Sequence, residues 1–157
     1  MHVMLAYDNS RNANIALDAV RRMLAAIKPK ITLISVVEDV GSTTDGADDM
    51  FNAQYHDQKS GTEAAAQGLA AEGFETAVLI AEGDARKMIL RAVEQKNPDL
   101  LVLARHSHKP DTGPFNFITK RLDALVEEFD HMTFGSTSAF LARRAPCPLL
   151  IIPTHAE

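Results

Sequence analysis

Short apolar runs alternate along this chain with longer segments of helical periodicity, and this alternation restricts the possible folds more than any other feature. The runs are residues 3–7, 31–37, 75–81, 100–104 and 147–152. Runs of this length that end at turn residues are typical of strands buried on both faces of a sheet. The alternation predicts an α/β domain over 1–157, with a mainly parallel sheet and helices on both faces.

The segments between the strands carry the spacing of amphipathic helices. The first is predicted from an apolar stripe that comprises Ala13, Ala16, Leu17, Val20, Leu24 and Ile27. Ser10 is a suitable N-cap for this helix, and Pro29 stops it. Further helices are predicted over about 50–72, from Asp84 to Asn97, and over 135–144.

Residues 105–134 are longer than a connection in a compact domain needs to be. Apolar residues at helical spacing predict an inserted helix over 113–130, with Phe115, Ile118, Leu122, Leu125 and Phe129 on one side. Core packing is the usual role of such a stripe. A lid over a binding site and a surface for a protein partner are the alternatives.

Charge and composition exclude several classes of function. The formal net charge is −5 and no basic block is present, so binding to nucleic acid or to anionic membranes is not expected. No apolar run reaches the length of a membrane span. Cys147 is the single cysteine, which excludes a disulfide within the chain. The amino-terminal residues lack the pattern of a signal peptide, and we expect a cytoplasmic protein.

Ligands of open parallel sheets bind at the carboxyl ends of the strands. Asp8 and Val36 lie at two of these ends, and Gly135 opens the last predicted helix with three hydroxyl residues behind it. The free backbone N–H groups of such a helix start can hold a phosphate. A purely structural alternative stays open, because Asp8 and Ser136 are also good capping residues.

Two other groups of residues contain side chains that can bind a metal or react as a nucleophile. His106, His108 and Asp111 carry metal-binding atoms, but they lie in a polar loop, and solvated loop residues are the preferred interpretation. Cys147 precedes a buried strand, where a cysteine usually packs as a small apolar residue. No metal site and no reactive thiol are predicted.

Several segments, taken in order, resemble the universal stress protein family. They are HVMLAYDNSRNANIALDAV (2–20), ITLISVVED (31–39), EGDARKMILRAVEQKNPDLLVLARHS (82–107) and FGSTSAFLARRAPCPLLIIP (134–153). The resemblance implies a five-stranded parallel sheet with strand order 3-2-1-4-5. It also implies a homodimer that forms through the last strand, residues 147–152.

One branch of this family binds ATP through a Gly-x-x-Gly motif followed, nine residues later, by Gly-Ser or Gly-Thr. By this resemblance Asp8 would contact the adenosine, Val36 would flank the adenine, and Gly135 and Ser136 would contact phosphate. The candidate nucleotide-binding residues are Ala6, Asp8, Val36, Arg105, Gly135, Ser136 and Thr137.

The chain departs from that motif after the fourth strand. Ala104-Arg105-His106-Ser107 stands where the family has its loop glycines, which allow the backbone to approach a phosphate. Arg105 would supply charge and N–H donors in their place. ATP or AMP is therefore one expectation, and a nucleotide-independent, dimeric interaction module is the alternative. An enzyme is not expected, because no nucleophile–base pair is evident.

Overall fold

The computed structural model describes residues 1–38, 47–105 and 135–154. The inserted helix predicted over 113–130 and the loop residues His106, His108 and Asp111 lie outside the described residues. The elements in chain order are β1 (His2–Ala6), α1 (Arg11–Met23), β2 (Lys30–Val37), α2 (Ala47–Ala71), β3 (Thr76–Glu82), α3 (Ala85–Lys96), β4 (Leu100–Ala104), α4 (Gly135–Arg144) and β5 (Leu149–Ile152).

The strands form one parallel sheet in the order β3-β2-β1-β4-β5, which confirms the predicted fold class and strand order. From β1 the chain first steps outward through β2 to β3, and it then crosses to the other side of β1 for β4 and β5. Right-handed crossovers consequently place α1 and α2 on one face of the sheet and α3 and α4 on the other. The order reverses between β1 and β4, where open sheets bind ligands.

Each face of the sheet carries its own apolar layer, because successive strand residues point to opposite faces. The layer under α1 and α2 includes Val3, Leu5, Val20, Leu33, Leu69 and Phe74. The layer under α3 and α4 includes Met4, Ile34, Ile89, Val93, Leu101 and Leu141. Neighbouring residues of β1 thus serve both layers, which explains why this strand reads as a continuous apolar run.

The helix caps follow from local sequence. The Ser10 Oγ accepts a hydrogen bond from the Ala13 N–H at 3.1 Å and caps α1, as predicted. The Asp84 Oδ1 accepts from the Lys87 N–H at 3.1 Å and caps α3. Asn97 ends α3 in the left-handed region at φ 44°, which asparagine tolerates better than most residues.

Two elements are shorter in the structure than the sequence predicts. Helix α1 ends at Met23, so Ile27 does not join the buried stripe and its side chain is 59% exposed. Strand β5 begins at Leu149 rather than at Cys147, because Pro148 between them has no N–H for strand pairing. The Pro148 carbonyl still accepts a hydrogen bond from the Leu101 N–H at 2.9 Å.

Within the residues that the structure describes, no helix combines the length and the apolar character that a membrane span requires.

Candidate functional site

A cavity of about 340 Å³ opens at the carboxyl edge of the sheet, between the two helix layers. The strand ends and α3 contribute mainly apolar side chains to it, whereas α2 on one face of the sheet and α4 on the other contribute polar ones. The lining residues are Ala6, Tyr7, Asp8, Ser10, Ala13, Ile34, Val36, Glu38, Gln54, Gln58, Ala85, Ile89, Leu103, Ala104, Gly135, Ser136, Thr137 and Ser138. The cavity therefore lies at the reversal of strand order, as expected for a ligand site in an open parallel sheet.

The loop between β1 and α1 holds the Asp8 carboxylate at the cavity. The Asp8 Oδ1 accepts a hydrogen bond from the Ser10 N–H at 3.0 Å. The buried Tyr7 hydroxyl donates to Asn14 Oδ1 at 2.9 Å and lies 3.2 Å from Asn9 Oδ1. Burial raises the pKa of Tyr7, which keeps this hydroxyl protonated. Hydrogen bonds to α1 therefore fix the loop on both sides of Asp8, at Tyr7 and at Ser10.

Helix α2 also determines the position of this loop. Asn9 has a left-handed backbone, with φ 65°, and its side chain lies against the backbone of Gly61 in α2. A Cβ added at Gly61 would overlap the Asn9 amide, so only glycine fits there without movement. This contact was not predictable from the sequence. The one local signal was a glycine inside a helical segment, where alanine is more stable.

Two glutamines of α2, Gln54 and Gln58, form an amide wall at one end of the cavity. They are four residues apart and therefore lie on the same side of the helix. The Ser35 Oγ, fully buried on β2, donates to Gln58 Oε1 at 3.1 Å. The amide wall was not predictable from the sequence either, because the spacing of two glutamines does not reveal that β2 lies beside them.

The opposite end of the cavity is the amino terminus of α4, which we call the hydroxyl end and which comprises Ser136, Thr137 and Ser138. Gly135 begins the helix with φ 67°, a conformation that glycine adopts without strain. The first N–H groups of a helix have no partner within the helix, and the helix dipole adds partial positive charge there. This end is suited to an anionic group.

Carboxylates give the rim of the cavity its charge. Glu38 lines the cavity together with Asp8, and its Oε1 accepts from the Ala85 N–H, at the start of α3, at 3.3 Å. Beside it, the Arg86 guanidinium and the Lys87 N–H lower the pKa of Asp84 to about 2. No lysine or arginine lines the cavity in the parts of the chain described above.

The structure brings six of the seven candidate residues to this cavity, namely Ala6, Asp8, Val36, Gly135, Ser136 and Thr137. Arg105 is not among the lining residues. Its N–H donates to the Ile152 carbonyl at 2.8 Å, and its own carbonyl accepts from Thr154 Oγ1 at 2.7 Å and Asn12 Nδ2 at 3.4 Å. The Arg105 backbone is therefore fixed at the end of β4, next to the lining residue Ala104.

Other chemical groups lie away from the cavity. Cys147 packs against the apolar layer under α3 and α4, and burial raises the pKa of its thiol, which disfavours the reactive thiolate. No cluster of three or more metal-binding side chains occurs in residues 1–38, 47–105 and 135–154.

Solved structures share this fold at low sequence identity. The universal stress protein UspA from Lactobacillus plantarum matches with a TM-score of 0.73 and 19% identity over 97% of each chain. A universal stress protein family protein from Arabidopsis thaliana, solved with AMP bound, matches with a TM-score of 0.64 and 19% identity, over 99% of this chain and 93% of that one. A universal stress protein in complex with cAMP matches with a TM-score of 0.57 and 18% identity, over 99% and 98%.

Sequence comparison gives the family directly. No curated protein matches the chain closely. The profile that describes the universal stress protein family, however, matches residues 1–153, nearly the whole sequence. This chain is a member of the universal stress protein family.

Proposed function

We propose that the protein is a regulatory module that binds an adenine nucleotide in the cavity at the carboxyl edge of its sheet. The observation that carries this proposal is the distribution of polarity in the lining, which combines apolar side chains from the strand ends with the amino terminus of α4 on one face of the sheet and the amide wall of α2 on the other. A nucleotide has the same distribution, since a flat base and a sugar separate the phosphate from the polar edge of the base. Two proteins of the same fold were solved with AMP and with cAMP.

Each part of the nucleotide has a matching group in the cavity. Val36 and Ile34 offer an apolar surface to the adenine ring, and Asp8 accepts hydrogen bonds from ribose hydroxyls. The hydroxyl end and the N–H groups of α4 hold the phosphate. Because Asp8 and Glu38 add negative charge, we expect ATP to bind more tightly with Mg²⁺ than without it.

Calorimetric titration with AMP, and with ATP in the presence and absence of Mg²⁺, tests this function. Ser136→Asp places a carboxylate where the phosphate would lie, and we expect a loss of at least about tenfold in affinity from charge repulsion. An acidic residue in the first turn favours a helix, so this loss would not come from unfolding of α4. Ser60→Asp, on an exposed part of α2, is the matched control.

The absence of binding heat at millimolar AMP and ATP would refute the proposal. Equal weakening by Ser136→Asp and Ser60→Asp would show that the nucleotide does not reach α4.

We infer that the module binds rather than transforms its ligand. The described cavity residues include hydroxyls and carboxylates, but no histidine or lysine that would activate a hydroxyl as a nucleophile. Chromatography of AMP and ATP incubated with the protein for hours should recover both unchanged. Repeated turnover, abolished by Asp8→Asn, would identify an enzyme instead.

We further propose a cytoplasmic homodimer that forms through β5. Strand β5 lies at the edge of the sheet, and its residues Leu149, Leu150 and Ile151 are only half-buried. A half-buried apolar edge favours pairing with a second strand. The cytoplasmic location agrees with the single cysteine, and the inserted helix predicted over 113–130 remains a candidate surface for a protein partner.

A further inference from the structure

We propose that Gln58 recognises the base of the nucleotide through the N–H donors of its side-chain amide, an inference that rests on the nucleotide-binding function proposed above. It adds the residue that selects the base. This amide has a fixed orientation and lies in the same cavity as the amino terminus of α4.

The Gln58 amide is held in one orientation. Its Oε1 accepts the hydrogen bond from the Ser35 Oγ at 3.1 Å, and Ser35 is fully buried within the sheet. The backbone is also fixed, because the Gln58 carbonyl accepts from Thr62 Oγ1 at 2.7 Å, and Thr62 is likewise buried. A glutamine amide has one acceptor oxygen and two N–H donors. With the oxygen engaged by Ser35, the donors are the groups that Gln58 offers to a ligand.

The topology places Gln58 at the end of the cavity that is far from the phosphate. Helix α2 packs on β2 and β3 on one face of the sheet, whereas α4 belongs to the opposite face and leads into β5 at the other edge. The amide wall and the hydroxyl end are therefore opposite ends of one cavity. A phosphate at α4 directs the base towards α2.

The chemistry of the two groups is complementary. The ring nitrogens of adenine that are not attached to the sugar accept hydrogen bonds, and glutamine is a side chain that pairs with adenine edges. A ligand without such an acceptor would leave the Gln58 N–H donors unpaired in a partly buried site, which is unfavourable. Gln58 would thus favour a purine over an apolar or a purely hydrogen-bond-donating group of the same size.

Titration calorimetry of two Gln58 variants with AMP tests the inference. Gln58→Met removes the amide at similar volume, and Gln58→Glu keeps an acceptor for Ser35 but removes the N–H donors. We expect Gln58→Met to bind AMP about 3- to 10-fold more weakly than the wild type, the range for one hydrogen bond, and Gln58→Glu to bind it at least as weakly as Gln58→Met, because its carboxylate also repels the phosphate. Gln67→Met, on an exposed part of the same helix, should bind AMP as the wild type does.

A second readout separates recognition from a structural role. The wild type should lose affinity for one of 1-deaza-, 3-deaza- and 7-deaza-AMP, and Gln58→Met should lose nothing further with that analogue, as in a double-mutant cycle. If the wild type binds AMP and Gln58→Met binds it equally well, the role of Gln58 is refuted while the proposed function stands. If the wild type binds no nucleotide, the proposed function itself fails.

Discussion

The contact between Gly61 and Asn9 forms only because residue 61 has no side chain. The Asn9 amide occupies the space that a Cβ at residue 61 would need, so α2 can approach the loop that carries Asp8. In the same helix Gly68 has open space around its Cβ position. Both glycines lower the intrinsic stability of helix α2. Only at Gly61, however, does a neighbouring side chain fill the space that a Cβ would occupy.

We predict opposite effects from the same substitution at these two glycines. Gly68→Ala should raise the free energy of unfolding by up to about 1 kcal/mol, because alanine favours the helix. Gly61→Ala should lower it by about 1–3 kcal/mol, the usual cost of overpacking. Urea unfolding of both variants measures the difference.

The double variant Gly61→Ala/Asn9→Gly supplies the control, since glycine at position 9 removes the amide and tolerates its positive φ. This variant should recover much of the lost stability. Stabilisation by Gly61→Ala comparable to that by Gly68→Ala would contradict the contact.

Residues that contact near neighbours in the sequence were predictable, whereas residues whose contacts lie far away in the sequence were not. Ser10 was identified as a cap from its position before an apolar stripe, and its hydroxyl does bond to an N–H three residues later. Gln58 and Gly61 gave no comparable signal. Their partners, Ser35 and Asn9, are 23 and 52 residues away and meet them only in the folded chain.

At the scale of the element, the amino terminus of α3 makes a prediction about pH. The Arg86 guanidinium lies 2.8 Å from the Asp84 carboxylate, and this hydrogen bond contributes most to the low pKa of Asp84, about 2 against an ordinary 3.8. A carboxyl whose pKa is lower in the folded protein stabilises the fold above its unfolded pKa. That stabilisation disappears as the pH falls from about 3.8 towards 2.

We therefore expect Asp84→Asn to be less stable than the wild type at neutral pH and progressively closer to it below pH 3.8. Asparagine still caps a helix, so the difference isolates the charge. Urea unfolding of both proteins between pH 7 and pH 3 gives the comparison. Asp57→Asn, at an exposed position of α2, serves as the control for net charge. A difference between Asp84→Asn and the wild type that does not depend on pH would contradict the assignment.

Element types were more predictable than element ends. Strand β4 and helix α4 have the predicted bounds, whereas α1 ends earlier than its apolar stripe. Ile27 has the right spacing for that stripe, but the chain has left the helix at Leu24 and turns through Lys28, whose φ is 48°. Periodicity reports which residues would share a face if a helix continued, and does not report where it stops.

At the scale of the whole molecule, the two edge strands allow a matched test of the proposed dimer. Ile151 in β5 and Ile80 in β3 are both half-buried residues of edge strands. A lysine on an edge strand disfavours pairing with another chain. We expect Ile151→Lys to produce monomers in sedimentation velocity, while Ile80→Lys stays dimeric. A wild type that sediments as a monomer, or a dimer lost only with Ile80→Lys, would contradict an interface at β5.

The alternation of apolar runs was sufficient to predict a parallel sheet, but the order of its strands came only from the family resemblance. Each strand pair joins two runs of similar composition, such as β1 with β2 and β1 with β4. Composition alone therefore does not distinguish one neighbour from another. The cavity depends on this order, because the reversal beside β1 brings residues of α2 and α4 to the same opening.

Strand β1, which precedes the other strands of the sheet in the sequence, also lies at the centre of the finished sheet. It can pair with β2 soon after synthesis, whereas its other neighbour β4 follows nearly 100 residues later, where the Asp99 N–H meets the His2 carbonyl at 2.8 Å. The α4 end of the cavity is completed later still. A molecule that contacts both β1 and α4 in the cavity would thus join elements that lie far apart in the sequence, so its binding would stabilise the assembled sheet over any partly folded form.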